Sequence, residues 1–300
     1  MTPNQVVVLG GSGDIGSVIV RHLKNSGFRC IAPSSKQVDL KNSIESESFF
    51  STINGPFELI FAALDRSVSN GESVSSMNLR MVENAISFGT PNSLIFLSSI
   101  DVYGKSPKIP ITEKSILRGD LLYGSQKIIA ERLLYDRFDS KIPLLTLRLP
   151  GVFGGGSSRN SALEKILRKG LITGVIELGQ SGRILRDWIY AEELGRFVTQ
   201  FCGGQYSGTF NFVTGKSIAI DSYVSKCLGI FSTVKHNVLD SSVNVPQKGS
   251  DFVFDDKMLR EVFPNWKFSD RDSSLNFFAK EYLDYLRKNS KIKRIHSEND

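Results

Sequence analysis

QVVVLGGSGDIG occupies residues 5–16, and its reading decides the fold. A run of β-formers from Val6 to Leu9 ends abruptly in glycine, and an amphipathic segment follows at once, which is the pattern of strand, tight turn and helix. Gly10, Gly13 and Gly16 give the spacing GxxGxxG. Glycines so placed permit a sharp turn, close approach of backbone to a pyrophosphate, and close contact between helix and strand. An anion would sit at the helix N-terminus, where unpaired N–H groups and the dipole favour it. Position after the first strand and before a helix makes the motif specific. The stretch therefore predicts a dinucleotide site that includes Gly10, Gly13, Asp14, Ile15 and Gly16. A purely structural turn is the competing reading.

Outward from this turn, strand-like runs QVVVLG, FRCIAP, ELIFAAL, SLIFLSS and PLLTLRL alternate with helical patterns near 14–26, 41–52, 75–88 and 121–138. Such alternation predicts an α/β fold, a doubly wound parallel sheet of Rossmann type with helices on both faces. Ligands in these sheets bind beyond the carboxyl ends of the strands. After residue 150 the rhythm gives way to Gly-rich loops and short mixed elements. The expected division is a dinucleotide-binding domain at 1–150, to which 186–202 returns, and a smaller mixed α/β substrate-binding region at 151–185 and 203–300.

Composition sets limits. The 300 residues are 40% hydrophobic and 23% charged, as in an ordinary globular protein. No apolar run approaches the roughly 18–20 residues of a membrane span, and a cytoplasmic location is expected. Cys30, Cys202 and Cys227 have no disulfide-like spacing and are expected as free thiols. The formal charge is +6, but five basic residues lie in RKNSKIKR at 287–294, and without them it falls to +1. A nucleic-acid partner is therefore not expected, and the scattered histidines offer no metal-ligand spacing.

Two further stretches carry chemistry. The second strand runs into Ser34-Ser35-Lys36, where a carboxylate would select the ribose 2′-hydroxyl of NAD. None is present there, so NADP is favoured over NAD; Lys36 as an idle surface lysine is the alternative. In LLYGSQKIIAERLL, 121–134, Tyr123 precedes Lys127 by four residues, so both side chains share one helix face. A phenol normally titrates near 10, and a neighbouring ammonium lowers that value.

With the glycine loop, the YxxxK helix and LSSIDVYG (97–104) in order, the chain resembles the extended short-chain dehydrogenase/reductase family, in its sugar-nucleotide epimerase, dehydratase and reductase branch. Further similarities are Val38-Asp39-Leu40, like the pair that contacts adenine; Phe61-Ala62-Ala63, like the alanines beside the cofactor; Asn78, like the asparagine that fixes the central helix; and RLPGVFG (148–154). RDWIYAEEL (186–194) looks like the segment whose arginine holds the substrate diphosphate. The resemblance implies a catalytic set of Ser99, Tyr123 and Lys127, cofactor contacts from Asp39, Leu40, Ala62, Ala63 and Lys127, and substrate contacts from Ser99 and Arg186. For Arg186 a salt bridge to Glu192 or Glu193 is the structural alternative; for Ser99 it is a local strand-end hydrogen bond.

Departures from the family narrow the reaction. Dehydratases carry two carboxylates after the catalytic Ser/Thr, whereas this chain has Ile100 and Asp101, and isoleucine cannot transfer a proton. Fucose-forming enzymes use a Cys and a His, but no histidine lies between His22 and His236. Two readings remain: an NADP(H)-dependent reductase of a nucleotide-linked 4-keto-6-deoxyhexose, or an NAD-dependent sugar-nucleotide 4-epimerase. A non-catalytic dinucleotide-binding regulator is a third. Gly151 stands where the family often has a sugar-contacting asparagine. The resemblance further implies deoxysugar synthesis for a surface polysaccharide and a homodimer built through helix 121–138.

Overall fold

A computed structural model describes residues 5–64, 74–156, 160–229, 235–237 and 250–288. The first half of the chain lays down β1 (Gln5–Leu9), α1 (Asp14–Asn25), β2 (Arg29–Ile31), α2 (Ser43–Ser51), β3 (Phe57–Phe61), α3 (Val74–Phe88), β4 (Ser93–Ser99), α4 (Leu122–Phe138) and β5 (Leu144–Leu149). A short 3-10 turn, Ile100–Tyr103, follows β4 directly. The second half contains β6 (Val152–Phe153), α5 (Ala162–Thr173), β7 (Val175–Glu177), β8 (Leu185–Arg186), β9 (Ile189–Tyr190) and α6 (Ala191–Phe201). It ends with β10 (Gly208–Asn211), β11 (Ile218–Ala219), α7 (Ile220–Leu228), β12 (Lys235–Asn237), α8 (Lys257–Val262) and α9 (Arg271–Lys288).

Six strands form one parallel sheet in the order β10-β5-β4-β3-β1-β2. This is the doubly wound α/β architecture expected from the sequence. Strand residues alternate between two cores, as a period of two requires. Val6, Val8, Ile60, Leu97 and Leu147 pack with α1 and α6, while Val7, Leu9, Leu59, Phe61 and Phe96 pack with α3 and α4. Because both faces are covered, the strands read as continuous apolar runs.

The division of the chain differs from the expected one at one point. Residues 203–300 are expected in the substrate-binding region, yet Gly208–Asn211 pairs in parallel with β5 as the sixth strand. Leu259, Phe263 and Trp266, still later in the chain, pack into the core beneath α1 and α6. The strand is only four residues long and begins at a glycine with φ of 124°, so it carries too little apolar pattern to be recognised alone. A separate core joins α5, α7 and α9 around Trp188, Tyr190 and Tyr223. Among the described residues, no helix is long and apolar enough to cross a membrane, and no group of His, Cys, Asp and Glu could hold a metal ion. Of the basic run at 287–294, residues 289–294 lie outside the described residues.

Candidate active site

The glycine turn closes tightly because its neighbours leave no room for a side chain. Gly10 has φ of 83°, and a Cβ there would stand 2.6 Å from the backbone of Ala63. A Cβ on Gly16 would strike the carbonyl oxygen of Gly10. Gly13 N–H donates to the Gly10 carbonyl at 3.0 Å, and α1 then begins with Gly13 as its cap residue, without a side chain to occupy the first N–H groups. Residues of this turn and of the first turn of α1 line a cavity of about 680 Å³, within the usual range of a small-molecule site.

The wall of this cavity runs from Gly10, Ser12, Gly13, Asp14, Ile15 and Gly16 past Ala62 and Ala63 to Tyr123 and Lys127. Its far end is built by Pro33, Ser35, Val38, Asp39, Leu40 and Lys41. Two expected contacts turn elsewhere. Ser34 bonds through its hydroxyl to Gln37, and Lys36 is an exposed residue, whereas the lysine in the wall at this end is Lys41. Lys41 carries no recognisable signal in the sequence, because it follows the Asp39-Leu40 pair rather than the strand end. Its Nζ lies 3.9 Å from Asp39, and its backbone N–H donates to the same carboxylate at 3.0 Å. A cavity of this size, a helix N-terminus without a side-chain cap and glycines that admit no Cβ together fit a dinucleotide.

Tyr123 and Lys127 occupy the first two turns of α4. Gly124 between them permits this, since a Cβ there would collide with the carbonyl of Asp101 in the 3-10 turn. Asn78 of α3 donates to Gln126 of α4 at 3.4 Å. The Lys127 side chain is buried, with 8% exposure. Its ammonium donates to the Leu97 carbonyl at 2.8 Å and lies 4.7 Å from the centre of the Phe96 ring and 5.8 Å from that of Tyr123. Burial lowers its pKa to about 8, with Glu131 acting in the opposite direction. The neighbouring phenol therefore sits beside a cation deprived of water, where attraction between charges is strongest.

Ser99 ends β4 and is buried. Its hydroxyl accepts from the Asp101 N–H at 3.2 Å, so the local strand-end bond weighed from the sequence is present. Burial raises the Asp101 carboxyl above its ordinary range, opposed by Ser99 and then by the charge of Arg186. Ile100 is buried in an apolar cluster with Val102 and Tyr103.

Arg186 makes no bridge to the two glutamates proposed as its structural partners. Glu192 is bound by Arg21 and by His22, the latter at 2.7 Å, and Glu193 by Arg196 at 3.0 Å. Instead Arg186 donates to the carbonyls of Leu185 at 2.8 Å and Ser250 at 2.7 Å, and its guanidinium lies 4.9 Å from the Phe252 ring centre. Burial lowers its pKa, while Asp251 and Asp101 oppose that effect. Gly151 has a steric reason of its own: a Cβ would enter the indole of Trp188.

Residues 6–207 match the model of the NAD dependent epimerase/dehydratase family. The chain belongs to that family. Family membership makes a nicotinamide dinucleotide the cofactor class. Among its relatives, GDP-L-colitose synthase of Yersinia pseudotuberculosis is 24% identical over 217 residues, 65% of this chain and 70% of that protein. A GDP-6-OMe-4-keto-L-xylo-heptose reductase from C. jejuni has a similar structure, with a TM-score of 0.77 at 16% identity over 95% of this chain and 99% of that one. The UDP-glucose 4-epimerase of Bifidobacterium longum, solved with NAD+ and UDP, gives 0.74 at 19% identity over 96% and 100% of the two chains.

Proposed function

We propose that the protein is an NADP(H)-dependent reductase of a nucleotide-linked 4-keto-6-deoxyhexose. The observation that carries the reading is the ending of the cavity on Tyr123 and the buried Lys127, with apolar Ile100 beside Ser99 where elimination of water would need an acid. Reduction requires only one proton donor at the substrate oxygen. The bound dinucleotide would supply hydride to the carbonyl carbon. Tyr123 donates the proton to the oxygen, and Lys127 stabilises the phenolate left behind. Ser99 orients the same oxygen through its hydroxyl. Arg186 binds the diphosphate of the nucleotide, because a guanidinium matches phosphate oxygens with a fork of donors.

NADP is favoured by Ser35 and Lys41 in the wall and by the lack of a carboxylate at Ser34-Ser35-Lys36. Asp39 also lines that end, but its charge is held by Lys41. Similarity to a keto-heptose reductase and to a GDP-sugar synthase supports a keto-sugar nucleotide as substrate. For a homodimer, Leu122, Ile129 and Tyr135 on α4 are large apolar residues exposed to solvent. Deoxysugar supply for a polysaccharide is the corresponding setting.

The deciding experiment is to purify the protein, record whether a dinucleotide survives desalting, and titrate with NADPH and NADH. An empty protein that prefers NADPH and reduces a 4-keto-sugar nucleotide supports the reductase. Retained NAD(H), with interconversion of epimers and no net oxidation, identifies the 4-epimerase instead.

A further inference from the structure

Behind the Tyr123–Lys127 helix lies a continuous set of buried polar contacts. Glu131 stands one turn beyond Lys127 on the same helix face. Arg148 grips its carboxylate twice, from Nη2 at 2.7 Å and from Nε at 3.1 Å, and the Ser98 hydroxyl donates to it as well. Ser98 and Arg148 are register partners across β4 and β5. Arg148 Nη1 reaches the Tyr103 hydroxyl at 2.9 Å and the Glu113 carbonyl at 3.2 Å. Tyr103 in turn donates to Asn211 of β10 at 2.6 Å. The exposures of the Arg148 and Glu131 side chains are 6% and 11%.

A buried ion pair is poor evidence for stability, because desolvation offsets most of the attraction and apolar residues of similar size often serve as well. Its position suggests a different purpose. Lys127 binds the carbonyl of Leu97 and Glu131 binds the hydroxyl of Ser98, so consecutive residues of β4 are grasped by consecutive turns of α4. The next residue of that strand is Ser99. We infer that Glu131 and Arg148 are positioning residues, which clamp α4 against β4 so that Tyr123, Lys127 and Ser99 keep one relative geometry and Lys127 keeps its charge.

This inference rests on the roles proposed for Tyr123 and Lys127. The charged and titratable groups around Lys127 are Tyr123 and Glu131 of α4 and, behind Glu131, Arg148 of β5. From β4 it meets the Leu97 carbonyl and the Phe96 ring, and from α3 the uncharged Asn78 lines the small cavity beside it. Glu131 is therefore the anion that opposes the effect of burial on the ammonium. Its removal would leave Lys127 between Tyr123 and the Arg148 cation, with the one carboxylate of this set gone.

The test uses the full chain labelled with 13C at lysine Cε, with the Lys127 signal assigned by its loss in Lys127→Met. In the cofactor-free protein the Lys127 titration should fall by about one unit or more in Glu131→Gln. Turnover should fall about tenfold or more through kcat, with KM for NADPH unchanged and the alkaline limb of the pH profile moved down with the NMR midpoint. A paired variant, Glu131→Leu with Arg148→Met, removes both charges at similar volume; it should stay folded by circular dichroism, keep its melting temperature and still lose kcat. Folded variants with the parent's Lys127 midpoint and kcat would overturn the inference, as would failure of both to fold, which would make the pair a folding element. The NMR midpoint needs neither cofactor nor substrate. A parent protein without turnover on any keto-sugar nucleotide would thus count against the proposed reaction, while the NMR comparison still decides whether Glu131 sets the charge of Lys127.

Discussion

The ammonium of Lys127 lies 5.8 Å from the centre of the Tyr123 ring and is enclosed by protein. Its pKa of about 8 gives an alkaline limit to any reaction that uses this cation. The rate of keto-sugar reduction should decline as pH rises through about 8, well before a free phenol would ionise. A profile flat to pH 10 would remove Lys127 from the role.

The same shift has a stability consequence of determinable sign. The native value, about 8, lies below the unfolded value near 10.4, so between them the unfolded chain binds more protons and stability rises with pH. Below pH 8 the cost of the buried charge is fully present, at most roughly 3 kcal/mol. Lys127→Met should therefore unfold at higher urea than the parent at pH 7, lose that advantage by pH 10, and show no turnover. Chemical denaturation at the two pH values checks this.

Tyr123→Phe should bind NADPH as the parent does, because the ring remains, and lose a factor of about 100–10,000 in kcat with the proton donor. Fluorescence titration and stopped-flow reduction separate the two effects.

At the far end of the cavity, Lys41→Ala should raise the Kd for NADPH about tenfold or more, the value of one charged hydrogen bond of roughly 1.5–3 kcal/mol, and leave NADH unchanged. Lys36→Ala should alter neither. The reverse result would restore the strand end as the cofactor-selecting element.

Arg186→Ala should weaken sugar-nucleotide binding by about ten- to a hundredfold and leave NADPH binding largely unchanged. Calorimetry with each ligand is the measurement, and equal weakening of both would end the assignment.

The sheet and the glycine turn were legible because they depend on local signals: short continuous apolar runs alternating with helical patterns, and glycines at positions where a Cβ meets the backbone of Ala63 or Gly10. Tyr123 and Lys127 were legible as an i, i+4 pair on one helix face. Arg148 was read only as part of a motif, although Glu131 continues the Tyr123–Lys127 spacing by one more turn and could have been noticed. Its partner could not be read, since Arg148 and Tyr103 meet only through strand register and a 3-10 turn. Lys41 and the Gly151–Trp188 contact were hidden for a related reason: each depends on where loops converge in space. The strand at 208–211 was missed because four residues make too short a pattern.

That strand has a bearing on how the protein is made and altered. β5 lies between β4 and β10, and during synthesis its outer edge must wait until the residues after 207 have emerged. An unpaired, apolar edge is a template for association with other chains, so a fragment cut at residue 150 should aggregate rather than fold as an independent unit. Recombination with relatives is constrained in the same way. A single splice after β5 would import a foreign sheet edge along with the new substrate loops, so a productive exchange must keep the native 208–211 strand beside β5.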